Sequence, residues 1–521
     1  KRSLRETLPK MIAALKADPV AWYKENKLEP TPEQKEAAAA TEKHARTDAA
    51  PEKASPAMPE HAGHAATKKP AEPDSADHAL HTMGAAPAPD AAMQMNHKMV
   101  VTWPHFANIA LGFWLITSAF ALAYGSKALQ VNDVVSGSLV ILLAALSLSS
   151  RPFWKLWAPW ANSLVGVWLL FAPLLFWSPS AAQYMTNLVV GILAIAFAVL
   201  VPMMPGMSME GMMDKKSIPP GWTYSPSTDA QRFPIVAMGI IGLLISRMLT
   251  SYQLGHIDVA WEPFFSGSLA DPKNGTEEII TSDVSKAWPI PDAGLGAVSY
   301  VLEILMAVMG TRARWRTMPW MVTFFGILVI PLGVVSIYFV IIQPIVIGTW
   351  STPALIAALA MLIMIPFSLD EVIAMGQYLY WSKKEGKPLV RTFFKGGAAP
   401  RGEIDDSDYM TDARIIWRNT VRGVTFPWTL MASTVLGAWL MLSRVTLGSV
   451  GAMANSDHVV GALVITVAII ATAEVARALR FINAAFGAWL VAAPFVLSGA
   501  SSAGTVASVA AGLLLIGLSM P

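Results

Sequence analysis

From Trp103 onward the chain alternates between long apolar runs and short polar connections; before Trp103 it shows no such rhythm. Apolar runs fall near 106–125, 131–149, 157–177, 184–203, 233–253, 292–310, 318–343, 353–373, 426–444, 457–475, 481–498 and 502–519. Each is about the 20 residues that an α-helix needs to cross the hydrocarbon core. Backbone groups in lipid must find partners within the segment, so runs of this length predict helices rather than barrel strands. The expectation is an all-α polytopic membrane protein with about twelve transmembrane helices.

The front of the chain reads differently. In 1–36, Leu4, Leu8, Ile12 and Leu15 share one helical face, and Pro19 and Pro30 punctuate a short helical segment. Residues 37–100 are rich in Ala, Pro, Glu, Lys and His without any period. Such a stretch buries too little apolar surface to offset its ordering entropy, which predicts a disordered linker. The chain opens Lys1-Arg2-Ser3 with no apolar run before Trp103, which leads us to expect that a preceding segment has been removed.

Composition supports the membrane reading: 14% of residues are charged and the mean hydropathy is +0.47. Soluble domains carry about 25% charged residues. A net charge of +2 gives no footprint for nucleic acid. There is no cysteine, which excludes thiol chemistry and disulfides. Lys and Arg sort to alternate connections: Arg151 and Lys155, then Lys215, Lys216 and Arg232, then Arg312, Arg314 and Arg316, then Arg477 and Arg480. The Met-rich loop 206–232 and the basic loop 376–425 belong to that side, while loop 254–291 is acidic. The positive-inside rule then places both termini in the cytoplasm, in a bacterial inner membrane.

The apolar runs also repeat. Asn108, Gly112, Trp114 and Leu115 recur as Asn162, Gly166, Trp168 and Leu169, as Ser433, Gly437, Trp439 and Leu440, and as Asn483, Gly487, Trp489 and Leu490. Each following helix carries a glycine of its own, at Gly137, Gly191, Gly461 or Gly512, and Pro173 and Pro494 also correspond. Glycines let membrane helices approach closely, so packing is the favoured reading over a ligand site. The pattern resembles the SPW repeat family of membrane domains; the signature is loosely kept as Ala158-Pro159-Trp160 and Phe426-Pro427-Trp428. That resemblance implies SPW-type repeats over 101–205 and 426–521, two hairpins in each.

Residues 233–375 lack the repeat. They hold the long loop 254–291, then Ile290-Pro291 leading through Gly294 and Gly296 to Tyr300, and later Gly348-Thr349-Trp350-Ser351-Thr352-Pro353-Ala354-Leu355. This order resembles the vitamin K epoxide reductase (VKOR) family, a four-helix bundle with a W-C-x-x-C motif at the outer end of its fourth helix. The resemblance implies that Ser351 and Ala354 stand where the family has its active-site cysteines, and that Ser285 corresponds to a loop serine. It also implies a quinone pocket, with Trp350, Ser351, Ala354, Leu355, Phe264, Phe265, Trp288 and Tyr300 as candidates. His256 is a candidate for proton transfer to a quinone. The alternative is that the aromatics simply cap the bundle. Disulfide exchange is excluded in either case, because it needs sulfur.

Other features carry weaker expectations. Arg247 and Glu303 fall inside spans and are expected to pair, while Asp370 and Glu371 lie near an inner end and are expected to be solvated. His61 and His64, and His78 and His81, have chelating spacing, and Met207, Met209 and Met212 add thioethers. Imidazole and thioether suit copper, against a reading of low-complexity drift. Residues 1–30 resemble the tail of an NAD-dependent epimerase, which implies a preceding domain of that kind; no GxGxxG, and so no NAD site, lies in this chain. Three roles remain open: a quinone- or lipid-binding membrane module, a structural subunit docked to another membrane complex, and a copper-binding protein.

Overall fold

The computed structural model describes residues 102–122, 124–200, 211, 213–267, 273–405 and 412–520. The helical segment expected at 1–36, the linker at 37–100 with its four candidate histidines, and Met207, Met209 and Met212 lie outside them.

Among the described residues twelve longer helices carry the fold, in three groups of four. The first group is α1 (Trp103–Ala121), α2 (Lys127–Ser147), α3 (Pro152–Leu175) and α4 (Ala181–Leu200). The second is α5 (Asp229–Gln253), α6 (Asp292–Val308), α7 (Pro319–Ile342) and α8 (Thr352–Lys384). The third is α9 (Trp428–Met441), α10 (Gly451–Ile470), α11 (Ile482–Val496) and α12 (Ser502–Ser519). Several starts are set by caps: Ser126 Oγ accepts from the Leu129 N–H, Ser501 Oγ from Gly504, and Thr228 with Gln231 forms a capping box.

Among the described residues nine helices are long and apolar enough to cross a membrane. The other three are α1, diluted by polar residues over its 19 positions, α6 with 17 residues, and α9 with 14. At about 1.5 Å per residue α9 is the shortest, reaching only some 21 Å. Each of the three packs along a longer neighbour: α1 on α2, α6 on α5, and α9 on α10. The protein is thus an all-α polytopic membrane protein whose partnered helices need not each be a full-length apolar run. α8 continues to Lys384, so the start of the expected basic loop is helical. α10 begins at Gly451, six residues before its expected apolar run, and Asp457 and His458 are buried within it.

The two outer quartets are built alike. A Cβ added at any of the eight repeat glycines would come within 2.5–2.9 Å of the carbonyl oxygen of the facing glycine: Gly112 with Gly137, Gly166 with Gly191, Gly437 with Gly461, Gly487 with Gly512. Backbones in contact at that distance leave room for hydrogen alone. Four residues before each glycine stands a polar side chain that is at most 1% exposed: Asn108, Asp133, Asn162 and Asn187, then Ser433, Asp457, Asn483 and Ser508. The repeated tryptophan has an internal duty as well, since Trp168 Nε1 donates to Asn132 (2.8 Å) and Trp489 Nε1 to Ser456 (2.9 Å).

The central bundle is closed at its basic end by charge. α6 ends at Val308, leaving carbonyls without partners in the helix. Arg314 donates to Met306 and Met309, and Arg232 to Met309 and Gly310. Arg314 also pairs with Glu371 (Nη2–Oε2 2.5 Å), which Ser227 further supports. Asp370 accepts from the Tyr224 hydroxyl at 2.7 Å. Both acids are 3% exposed, which corrects the expectation that they are solvated. The expected Arg247–Glu303 pair does not form: Glu303 is fully buried with neither carboxyl oxygen hydrogen-bonded, and Arg247 instead lies toward Tyr184 of α4. The two residues are 56 positions apart, on α5 and α6, and no ion pair between them forms among the described residues.

Candidate functional site

The start of α8 is where the family motif was expected, and the local chain is held there from three sides. A single π-helical turn, Gln343–Ile347, ends at Gly348 with φ of 95°, which reverses the backbone into Thr349 and Trp350. Ser351 is the helix N-cap: its Oγ accepts from the Ala354 N–H (3.2 Å), and its own N–H donates to Gln343 Oε1 (3.0 Å). Pro353 fits the first turn, where its missing N–H costs nothing. Thus Ser351 and Ala354, the two positions the resemblance sets against a C-x-x-C pair, are the two ends of a capping hydrogen bond.

The loop clamps onto this helix start through Glu262. Its carboxylate accepts from Thr352 N (2.7 Å), Thr352 Oγ1 (2.6 Å), Thr276 Oγ1 (2.7 Å) and the Phe264 and Phe265 N–H groups (3.0 and 3.2 Å). Thr276 Oγ1 also meets Ser351 Oγ at 2.8 Å. Partial burial pushes the Glu262 pKa up, but these hydrogen bonds outweigh it and hold the carboxyl below its usual range. An anion at a helix N-terminus also complements the macrodipole.

Behind the helix start lies a cavity of about 230 Å³ between α5, α6, α7 and α8. Of the sequence candidates, Ser285, Trp288, Tyr300 and Ala354 line it. Its other walls are largely apolar, including Leu249, Leu332, Phe339 and Met361. The Tyr300 hydroxyl donates to Ala357 O (2.7 Å), and Trp288 sits at the rim, 43% exposed. Ser285 Oγ bonds Asp292 Oδ1 (2.9 Å), and Gln253 Nε2 donates to both, tying the loop to the starts and ends of α5 and α6.

The remaining candidates stand elsewhere. Trp350 stacks on Phe265 (centroids 6.1 Å, 23°) and meets the edge of His458 from α10 at 4.9 Å. Phe264 is 78% exposed and Leu355 half-buried; neither lines the cavity, nor does the fully buried Ser351. His256 Nε2 lies 2.8 Å from Ser178 O, with its ring 6.0 Å from Tyr184, so it faces the first quartet. Sequence reasoning missed Glu262, Thr276, Gln343 and Gln253. Ser351-Thr352-Pro353 signals a helix start, but nothing local in the sequence names the distant groups that fold over it. Among the described residues no group of three or more His, Asp or Glu is placed to hold a metal.

The site is thus a four-helix membrane bundle with a loop folded over the start of its last helix and no cysteine among the described residues. Residues 233–369 match the vitamin K epoxide reductase family, and residues 102–201 and 427–520 match the SPW repeat domain. The chain is therefore a multi-pass membrane protein that sets a VKOR-like domain between SPW-repeat regions. No curated protein and no solved structure gives a significant match.

Proposed function

We propose that the VKOR-like domain binds a quinone or a similarly flat apolar lipid in the cavity behind Ala354, and that it does so as a binding module without thiol exchange. The carrying observation is a cavity of about 230 Å³ in the bundle, directly behind the helix cap formed by Ser351 and Ala354. Apolar walls with a few polar groups are what a quinone ring and tail require. Tyr300 and Ser285 supply polar atoms, Trp288 an aromatic face at the rim, and Ala354 the small surface that leaves the space open. A bound quinone would bring electron-accepting chemistry; the residues of this chain bind, orient and exclude water. The basic connections support placement in a bacterial inner membrane with both termini cytoplasmic, so that this cavity lies toward the outer face.

The test is organic extraction of protein purified in mild detergent, with quinone quantified against protein. Near-stoichiometric quinone is expected in the wild type. It should be lost in Ala354→Phe, which fills the cavity, and retained in Phe264→Ala, which lies outside it. Quinone no more abundant than in an unrelated membrane protein overturns the reading and favours a structural subunit.

A further inference from the structure

Several polar side chains line the cavity behind Ala354, and most of them are already occupied by the protein. Tyr300 Oη donates to Ala357 O (2.7 Å), Ser299 Oγ to Leu295 O (2.9 Å), Ser282 Oγ to Ile279 O (2.7 Å) and Ser285 Oγ to Asp292 Oδ1 (2.9 Å). A hydroxyl has one proton to give, so none of these four can donate to a ligand without breaking a bond it already makes. Two donors on side chains more than nine-tenths buried are left: the Gln343 amide, 2% exposed, and the Ser246 hydroxyl, 5% exposed. Ser336, the other unbonded hydroxyl of the lining, is only half-buried.

Gln343 opens the π-helical turn that follows α7. Its Oε1 accepts from the Ser351 N–H at 3.0 Å; only the oxygen of an amide can accept, so Nε2 is the end left over. Nε2 makes no hydrogen bond among the described residues, on a side chain that the start of α8 holds in place. Ser246 lies on α5, seven residues before its end at Gln253. A helical serine commonly returns its proton to the carbonyl four residues back, as Ser299 does; Ser246 Oγ makes no such bond. A Cβ on Gly296 of α6 would stand 3.1 Å from that hydroxyl, so the glycine leaves it uncovered.

α6 and α8 each pack against both α5 and α7, which places Ser246 and Gln343 on opposite walls of the cavity. We propose, on the reading of the cavity as a quinone site, that these two side chains are the donors that receive the ligand's two oxygens. They make the cavity select a ring with carbonyls on opposite edges over a hydrocarbon of the same shape. The walls around them are largely apolar and offer no competing acceptor, and a buried donor left unpaired costs free energy. A ligand without oxygens leaves both costs standing, and a 1,4-quinone removes both.

The experiment is thermal unfolding of the full chain in detergent during titration with 2-methyl-1,4-naphthoquinone or with 2-methylnaphthalene, which has the ring without the oxygens. The quinone should raise the midpoint saturably, as a ligand of the folded state does, and Ala354→Phe should abolish the rise. The hydrocarbon should need a higher concentration for the same rise. In Ser246→Ala and in Gln343→Leu the quinone should weaken about two- to tenfold, the equivalent of one net hydrogen bond, while the hydrocarbon is not weakened. Reading the hydrocarbon alongside separates a lost donor from a misshapen cavity should Gln343→Leu loosen the start of α8, and Ser246→Ala leaves that helix start untouched. No saturable rise with either ligand, or a rise that persists in Ala354→Phe, overturns the cavity as the site and the donors with it. Equal half-saturation by the two ligands in the wild type, or variants that weaken both ligands alike or neither, overturns the assignment of the donors and leaves the cavity as a site.

Discussion

In the outer quartets glycine meets glycine, whereas in the central bundle glycine meets a side chain. Gly112 and Gly137 face each other's carbonyls, while a Cβ on Gly239 would strike Ile304 and one on Gly333 would strike Ile365. Backbone-to-backbone contact is symmetric and brings two helices together along a length, and the same solution recurs four times. A side chain seated over a glycine is a one-sided contact, and the bundle built from such contacts encloses a cavity. Polar groups follow the same division. The quartets bury them one turn before each crossing glycine, whereas the central bundle gathers most of its own into charged networks at both ends and leaves Glu303 buried without a hydrogen bond between them.

Three changes would break or sharpen that contrast. The largest effect is expected for Arg314→Ala, which leaves Glu371 buried without its partner and the carbonyls at the end of α6 without donors. Removing one member of a buried pair costs about 3–5 kcal/mol, and the loss should appear as a lowered midpoint of thermal unfolding. Gly137→Leu should cost up to about 3 kcal/mol through overpacking against the Gly112 backbone. If the quartet is independent of the cavity, quinone content per folded protein stays unchanged, and a parallel loss of quinone would show that the two regions are coupled.

The smallest effect belongs to Glu262→Gln, which keeps the shape of the clamp and weakens its hydrogen bonds by about 2 kcal/mol in total. Because folding lowers the pKa of Glu262, its contribution is fully present above the unfolded value and is lost as pH falls through the folded one. The midpoints of wild type and Glu262→Gln should therefore differ most at neutral pH and converge in the acid range. A gap that stays constant with pH would mean that the clamp does not depend on the charge.

Much of the fold was legible from spacing. The glycine repeat foretold close crossings because such contact demands the absence of a side chain at regular positions, and the structure makes all four. The helix starts at Thr228 and Ser351 carry their own signals in short sequence. Charged residues were read least well. Arg314 and Glu371 are 57 positions apart, so neither announces the other, and a residue's place in a loop or near a helix end says nothing of what folds over it. The candidate aromatics divided for a similar reason, since Trp350 turned toward α10 and Trp288 toward the cavity according to packing between groups of helices.

The sequence by itself determined the helical membrane architecture, the repeat and the absence of thiol chemistry, because these depend on apolar length, on periodic small residues and on which atoms are present. Tertiary structure alone decided that Glu262 clamps the start of α8, that Arg314 meets Glu371, and that Trp350 turns to His458. Each of those facts is a meeting of segments distant along the chain, and a local pattern records the shape of a segment without recording its partner.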